Sequence, residues 1–270
     1  MAAKIIGNNQ TRFRTQTEPY HAMVEAILKE EKDTLATLEP DNPNATVRKK
    51  MALAEEMLNL VSNYIVMNDI SQVVLKTKDE DALTNARKAL YKGIVYFEDV
   101  VTGYIDVPFS DYKDKHEAIE HISPADRYRL VRKMGLTIDL VANAYTDNTK
   151  WKWSFVELKG RFAVVAKNLL DMEKLTVNSD PRSPHYEPTV FHLRLVKKLL
   201  ASAAERYREK YELSTKSIED FNRSLTLLSA LRRIFILTGA RTEAETVKKK
   251  LDIWNTKLAA DIKRKKAAKK

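Results

Sequence analysis

Basic side chains recur near the end of the chain at a spacing suited to binding a polyanion. Lys250, Lys257 and Arg264 recur every seven residues, which places them on one side of an α-helix. Because lysine and arginine attract phosphate groups, this row predicts salt-sensitive affinity for a nucleic-acid backbone. The full candidate polyanion surface consists of Arg232, Arg233, Lys248, Lys249, Lys250, Lys257, Lys263, Arg264, Lys265 and Lys266. A solvated helix face with internal ion pairs, such as Glu245 with Lys249, explains the same spacing.

Positive charge is concentrated in the C-terminal third of the chain. The formal net charge is +10, and residues 188–270 contain 21 Lys and Arg against 9 Asp and Glu. The other 187 residues contain 26 basic and 28 acidic side chains, so the whole excess lies at the C-terminal end. The final eight residues, KRKKAAKK, include six basic ones. This asymmetry favours nucleic acid or an acidic protein surface as the partner.

Two tryptophans form a candidate stacking surface in the segment TKWKW. Trp151 and Trp153 alternate with lysines, a pattern typical of platforms that stack the bases of single-stranded nucleic acid. Residues two apart on a helix point about 200° apart, so at most one ring joins a buried stripe. Packing of these rings against neighbouring helices is the alternative interpretation. The third tryptophan, Trp254, falls within an apolar stripe and is predicted to lie in the core.

Motifs for catalysis or metal binding are not found in the sequence. His116 and His121 are five residues apart, whereas one helix face presents two imidazoles to a metal at a spacing of four. The chain has no cysteine and only six scattered glycines, which excludes thiolate metal sites and glycine-rich phosphate loops. We therefore expect no catalytic, metal or cofactor-binding residues and no cofactor. An enzyme whose site is assembled from scattered residues stays open as an alternative.

A helical hairpin over Ser214–Ile262 is the clearest structural element. Apolar residues recur in it every three or four positions, which predicts two helices that each bury one face. The stripe comprises Ile218, Phe221, Leu225, Leu228, Leu231, Phe235, Val247, Leu251, Trp254, Leu258 and Ile262. Ser214 is predicted to cap the first helix, Gly239 to end it, and Thr242 with Glu245 to form a capping box.

The same periodicity over the rest of the chain predicts an all-α fold. We expect seven to eight helices in antiparallel hairpins, forming a helical bundle or a short α-solenoid of about three hairpin units. Ser123 and Pro124 mark a helix start, and the β-like stretch ISQVVL is interpreted as part of an irregular connection over residues 69–78. The predicted organisation is a flexible arm (1–16), an N-terminal helical region (17–177), a proline-rich linker (178–188), a basic C-terminal helical region (189–262) and a basic tail (263–270).

These patterns favour an interaction protein. No apolar run approaches the roughly 20 residues that a bilayer crossing needs, and the N-terminus has no signal-peptide core. A cytoplasmic protein without a membrane partner is therefore expected. The predicted function is a non-enzymatic helical scaffold or adaptor that binds another protein, with an acidic partner favoured by the charge. A nucleic-acid-binding protein that uses the basic C-terminal surface is the alternative, and the sequence leaves the oligomeric state open.

Overall fold

The protein is mainly α-helical in a computed structural model that describes residues 2–39, 42–145 and 150–267. The α-helices in these ranges are α1 (Ala2–Ala36), α2 (Pro43–Val74), α3 (Glu80–Val101), α4 (Lys113–Ala118), α5 (Pro124–Tyr145), α6 (Lys152–Leu169), α7 (Leu175–Asn178), α8 (Tyr186–Lys210), α9 (Ile218–Leu237) and α10 (Arg241–Ala267). A 3₁₀ turn (Phe109–Tyr112) precedes α4, and a π-helical segment (Tyr211–Thr215) follows α8. The predicted all-α class is confirmed. The described ranges contain ten helices instead of seven or eight, because short helices α4 and α7 form within segments predicted as a connection and as the end of a longer helix.

The first compact unit comprises Met1–Val101, Glu117–His121 and Arg129–Lys150. Within it, α2 packs against both α1 and α3, and side chains such as Met57 and Phe97 are fully buried. A Cβ added to Gly93 of α3 would lie 3.2 Å from the Met57 Cβ. Glycine therefore permits the close approach of α2 and α3.

The segment predicted as a flexible arm is helical from Ala2 onwards as part of α1. Further along α1, Thr17, Val24 and Glu31 are buried at seven-residue intervals. The Glu31 carboxylate accepts hydrogen bonds from the Tyr96 hydroxyl and, at 2.6 Å, from the Lys92 ammonium of α3. Most side chains between residues 7 and 16 are exposed. A helix turn without a buried face leaves little periodicity to detect, which is why this part of α1 was not predicted.

The stretch ISQVVL lies in α2 except for its last residue, Leu75, because α2 ends at Val74 instead of before residue 69. Two buried polar residues on this last part of α2 bind the turn that follows. The Ser71 hydroxyl donates to the carbonyl of Thr77 at 2.9 Å, and the Asn68 side-chain oxygen accepts from the Asp79 amide at 3.1 Å. Because these bonds satisfy the backbone of the turn, the helix extends through a β-like sequence.

The second compact unit comprises Thr102–His116, Ile122–Tyr128 and Trp151–Lys270. In it, α8 packs against α6 and α9, and α9 packs against α10. Helix α6 is central to this unit, because every side chain from Phe162 to its last residue, Leu169, is buried. Close packing of α6 and α8 depends on Gly160, whose added Cβ would lie 3.1 Å from the Tyr207 Cζ.

Local signals set several helix ends as predicted. Gly239 has a φ of +71°, the left-handed conformation expected after α9. The Ser123 hydroxyl accepts a 3.1 Å hydrogen bond from the Asp126 amide at the start of α5. Two other predicted caps are not found at the expected residues. Ser217, not Ser214, precedes α9, and α10 already begins at Arg241, so Thr242 lies inside the helix and forms no capping box.

The segment predicted as a linker, 178–188, lies within the second unit. It contains the end of α7, a series of turns and the start of α8 at Tyr186. Its backbone bonds include that from the Ser183 amide to the Asp180 carbonyl at 2.8 Å. Among the described residues, no helix has the combination of length and apolar character that crossing a membrane requires.

Candidate functional site

The two lysines at the centre of the predicted polyanion row are held by carboxylates of the second unit. Lys250 of α10 donates to Glu205 of α8, and Lys257 donates to Glu212 in the π-helical segment. Arg208 donates to the same Glu212 carboxylate at 2.9 Å. The pKa of Glu212 is lowered chiefly by its hydrogen bond with Lys257. The ion pairs of Lys250 and Lys257 therefore link α10 to α8 and to the π-helical segment that follows α8.

The remaining residues of the predicted surface have several environments. Arg233 pairs with Asp106 at 2.8 Å, and Arg232 is half-buried. Lys248 lies 3.9 Å from Glu245 on the same helix, and Lys265 donates to the backbone carbonyl of Lys216. The exposed side chains of this surface with neither an ion pair nor a hydrogen bond within the described ranges are Lys249, Lys263, Arg264 and Lys266.

The tryptophans of the candidate stacking surface are half-buried at the start of α6. Trp151 precedes the helix, and the Lys152 ammonium lies 4.8 Å from the centre of the Trp153 ring. Trp254 is 2% exposed, so its predicted position in the core is confirmed. The Arg208 guanidinium lies 4.7 Å and the Lys250 ammonium 4.9 Å from the centre of its ring.

A different cluster, not predicted from the sequence, surrounds Lys167 of α6. This lysine is 4% exposed and lines a cavity of about 30 Å³ in the second unit. Its ammonium lies 5.2 Å from the centre of the Tyr112 ring, a distance at which a cation is attracted to an aromatic face. The cavity lining also includes Ile105, Asp106, Val107, Phe109, Tyr112, Met172, Ala230, Arg233, Ile234 and Leu237.

The segment 102–108 is fixed beside this cavity by contacts with two helices. The Asn168 side-chain amide donates to the backbone carbonyls of Thr102 at 2.9 Å and Tyr104 at 3.2 Å. Thr102 has a φ of 78°, a costly conformation for a β-branched residue. The Asp106 carboxylate then accepts from Arg233 of α9. Hydrogen bonds from Asn168 and Arg233 thus hold a strained backbone and place Asp106 near Lys167.

Burial sets the electrostatics of the cluster. It lowers the pKa of Lys167 to about 8, with Asp106 opposing the shift and Arg233 adding to it. Burial also raises the pKa of the Tyr112 hydroxyl to about 12, although Arg233 acts in the opposite direction. A lysine in this range exists partly as a neutral amine near physiological pH. Perturbed groups of this kind beside a cavity are typical of functional sites.

Two buried histidines lie in the same unit. His116 packs against the ring of Phe109 with a centroid distance of 4.9 Å, and burial lowers its pKa to about 4. His192 of α8 is hydrogen-bonded through Nε2 to the Ala166 carbonyl at 2.8 Å, and burial likewise lowers its pKa to about 4. His121, the other member of the predicted histidine pair, is exposed. His116 and His192 are therefore neutral at physiological pH and belong to the packing around α6.

Comparison with known proteins identifies the family of this chain. Residues 9–262 match the model of the TP0443 family. The chain belongs to the TP0443 family. A comparison with curated proteins gave no match.

In this TP0443-family chain, the cavity is suited to holding a small polar group. A volume of about 30 Å³ accommodates about two water-sized groups. The ammonium of Lys167 and the guanidinium of Arg233 supply positive charge, and apolar side chains such as Ile105 and Met172 form much of the wall. The sequence analysis did not use the one signal that marks this site, which is a lysine within the apolar run FAVVAKNL at the end of α6.

Proposed function

We propose that this chain is a non-enzymatic helical adaptor that binds another protein through an acidic part of that protein's surface. The observation that carries the proposal is a group of exposed side chains at the end of α9, next to the cavity. Arg233, Ile236 and Leu237 are spaced i, i+3 and i+4, so they share one face of α9. We call these three residues the α9 end patch.

The α9 end patch combines exposed apolar area with an arginine that is paired with Asp106. Ile236 and Leu237 are 54% and 56% exposed, and Arg233 and Leu237 also line the cavity. Half-buried apolar residues of the cavity, including Val107 and Met172, extend this surface. Protein interfaces commonly centre on apolar or arginine side chains around a pocket.

The size of the cavity favours recognition over turnover of a metabolite. Pockets that enclose a drug-sized ligand usually have volumes of about 300–1,000 Å³. The Lys167 cavity, at about 30 Å³, has room for one functional group. A partner that contributes a single side chain fits this size, and it would place its apolar neighbours on Ile236 and Leu237.

Nucleic-acid binding is a second proposal, supported by the exposed cations at the end of α10. Lys263, Arg264 and Lys266 are exposed, and their charge attracts phosphate without sequence specificity. In contrast, Lys250 and Lys257 already contact carboxylates, which reduces the charge available along the middle of α10. For both functions we propose a cytoplasmic location.

A pull-down with matched variants tests the two proposals. The full-length protein, the double variant Ile236→Ser/Leu237→Ser and the control Ile253→Ser are compared, since Ile253 of α10 is 67% exposed. The adaptor proposal expects a protein partner that survives moderate salt with the control and is lost with the double variant. The alternative expects nucleic acid that is released steeply by salt and is largely lost when the chain ends at Ile262, because this truncation removes Lys263, Arg264 and Lys266. A partner that is lost equally with both serine variants contradicts the assignment to the α9 end patch.

A further inference from the structure

The cavity beside Lys167 contains hydrogen-bond donors that have no acceptor in the described part of the protein. Lys167 and Tyr112 are 4% and 5% exposed, and both line the cavity. Within the described ranges, neither the Lys167 ammonium nor the Tyr112 hydroxyl donates a hydrogen bond to another residue. Neither atom is among the fully enclosed polar atoms without a partner, so both are accessible and can donate to a group in the cavity that accepts hydrogen bonds.

The charges around the cavity indicate that this group is an anion. Lys167 and Arg233 each contribute a positive charge, whereas Asp106 contributes the one carboxylate among the residues that line the cavity. The Nε of Arg233 donates to Asp106 at 2.8 Å. The Arg233–Asp106 pair is therefore close to neutral, which leaves the Lys167 charge without a counterion of its own. An occupant with one negative charge balances it.

The walls and the size of the cavity narrow the class of anion. Apolar side chains of Phe109, Ile234 and Leu237 surround the polar groups, and such a setting strengthens electrostatic attraction relative to water. Room for about two water-sized groups corresponds to the two oxygens of a carboxylate. Phosphate and sulfate are larger and carry more charge than the cluster balances.

We propose that the Lys167 cavity binds a single carboxylate group, whose oxygens accept hydrogen bonds from the Lys167 ammonium and the Tyr112 hydroxyl. Arg233 lines the same cavity but is paired with Asp106, so Lys167 supplies the charge that the carboxylate balances. We assign this carboxylate to an acidic side chain of a partner protein. That assignment rests on the proposed adaptor function. A free small carboxylate has the same chemistry, and the experiment separates the two sources.

Acetate tests the cavity without any partner. Acetate is titrated into the full-length protein at constant ionic strength, with chloride as the replaced anion, and the amide NMR signals of residues 105–107, 109–112 and 167 are followed. Saturable shifts with acetate but not with chloride are expected. Lys167→Met should weaken binding by at least about ten-fold, because a charge-assisted hydrogen bond is lost. The matched control Lys159→Met, an exposed lysine on the same helix, should bind as the original protein does.

Tyr112→Phe provides a second variant that removes only the hydroxyl. Loss of one hydrogen bond to a charged group should weaken acetate binding by roughly ten-fold. Shifts that do not saturate, or that persist unchanged in both Lys167→Met and Tyr112→Phe, overturn the carboxylate site.

A pair of peptides identifies the source of the carboxylate. One peptide amide carries a single glutamate flanked by leucines, and its counterpart has glutamine in place of the glutamate. Tighter binding of the glutamate peptide than of acetate, lost in Lys167→Met, supports both the site and an acidic protein partner. Saturable acetate binding without any advantage for the peptide supports the site as one for a free carboxylate and counts against the acidic partner. Absence of saturation with acetate and with both peptides overturns the site.

Discussion

The guanidinium of Arg233 in α9 donates a 2.8 Å hydrogen bond from Nε to the carboxylate of Asp106. This contact holds the segment 102–108 to α9, while Asn168 holds the same segment to α6. Asp106 also raises the pKa of Lys167, in opposition to burial. The pair therefore connects the backbone geometry of the segment with the charge of the buried lysine.

Removal of the Asp106 carboxylate should affect both the stability of the protein and the pKa of Lys167. Asp106→Asn is expected to lower the free energy of unfolding by about 1–3 kcal/mol, because Arg233 and Lys167 lose a negative neighbour. The pKa of Lys167 should fall further below its ordinary value. Urea unfolding measures the first effect and an NMR titration of the lysine side chain the second. Asp111→Asn, at an exposed position in the 3₁₀ turn, is the control; an equal loss of stability in that variant would contradict the assignment.

The buried lysine should make stability rise with pH in the alkaline range. The pKa of Lys167 is about 8 in the folded chain and 10.5 as its ordinary value, so between these pH values the unfolded chain binds the extra proton. Unfolding thus becomes less favourable as pH rises from about 8, by at most about 3 kcal/mol. Above pH 10 the raised pKa of Tyr112 acts in the opposite sense, because the unfolded tyrosine ionises first.

Lys167→Met isolates this contribution. The variant should be more stable than the original protein at pH 7.5 and should lose the rise between pH 8 and 10, since an apolar side chain replaces a buried charge. Urea unfolding at several pH values provides the measurement. Lys159→Met should retain the rise, and a rise that also persists in Lys167→Met would assign it to another group.

The two buried histidines should destabilise the protein in acid. The pKa values of His116 and His192 are lowered from 6.5 to about 4, so the unfolded chain takes up protons first as pH falls. Stability present above pH 6.5 is therefore lost between pH 6.5 and 4, by up to about 3 kcal/mol for each histidine. His116→Gln should reduce the slope of unfolding free energy against pH over this range. His121→Gln, at an exposed histidine, should leave the slope unchanged.

Close packing of α6 and α8 makes Gly160 intolerant of a side chain. A Cβ at this position would lie 3.0 Å from the Tyr207 hydroxyl oxygen and closer still to a ring carbon, and Tyr207 is only 3% exposed. Gly160→Ala is therefore expected to cost about 1–3 kcal/mol of stability. Thermal unfolding measures the loss. Gly7→Ala is the control, because an added Cβ there meets no atom within 4 Å and should raise stability through helix propensity.

The ion pairs of α10 lead to a prediction for polyanion binding. Lys250 and Lys257 contact Glu205 and Glu212, so Lys250→Ala/Lys257→Ala should change the salt concentration of elution from heparin very little. The free energy of unfolding of this double variant should fall by no more than about 1 kcal/mol for each ion pair that is lost. The triple variant Lys263→Ala/Arg264→Ala/Lys266→Ala should elute at clearly lower salt, since these cations are exposed. If the double variant shows the larger decrease, the middle of α10 is the polyanion surface after all.

Much of the helical architecture could be read from the sequence because its signals are local. Apolar residues at three- and four-residue spacing predicted α9 and α10, Gly239 predicted the end of α9, and Ser123 predicted the start of α5. Where a helix buries polar side chains or has no buried face, the periodicity of apolar residues is weak. For that reason the end of α2 beyond Asn68 and the start of α1 were not predicted.

The sequence by itself determined the all-α class, most helix positions and the excess of positive charge in the C-terminal third. Only the tertiary structure decided which cations are exposed and which contact carboxylates, because Glu205 lies 45 positions from Lys250 and Asp106 lies 127 positions from Arg233. It also decided that Lys167 is buried beside Tyr112 and a small cavity. Burial and the pairing of charges depend on distances between segments far apart in the chain, which periodicity and composition do not contain.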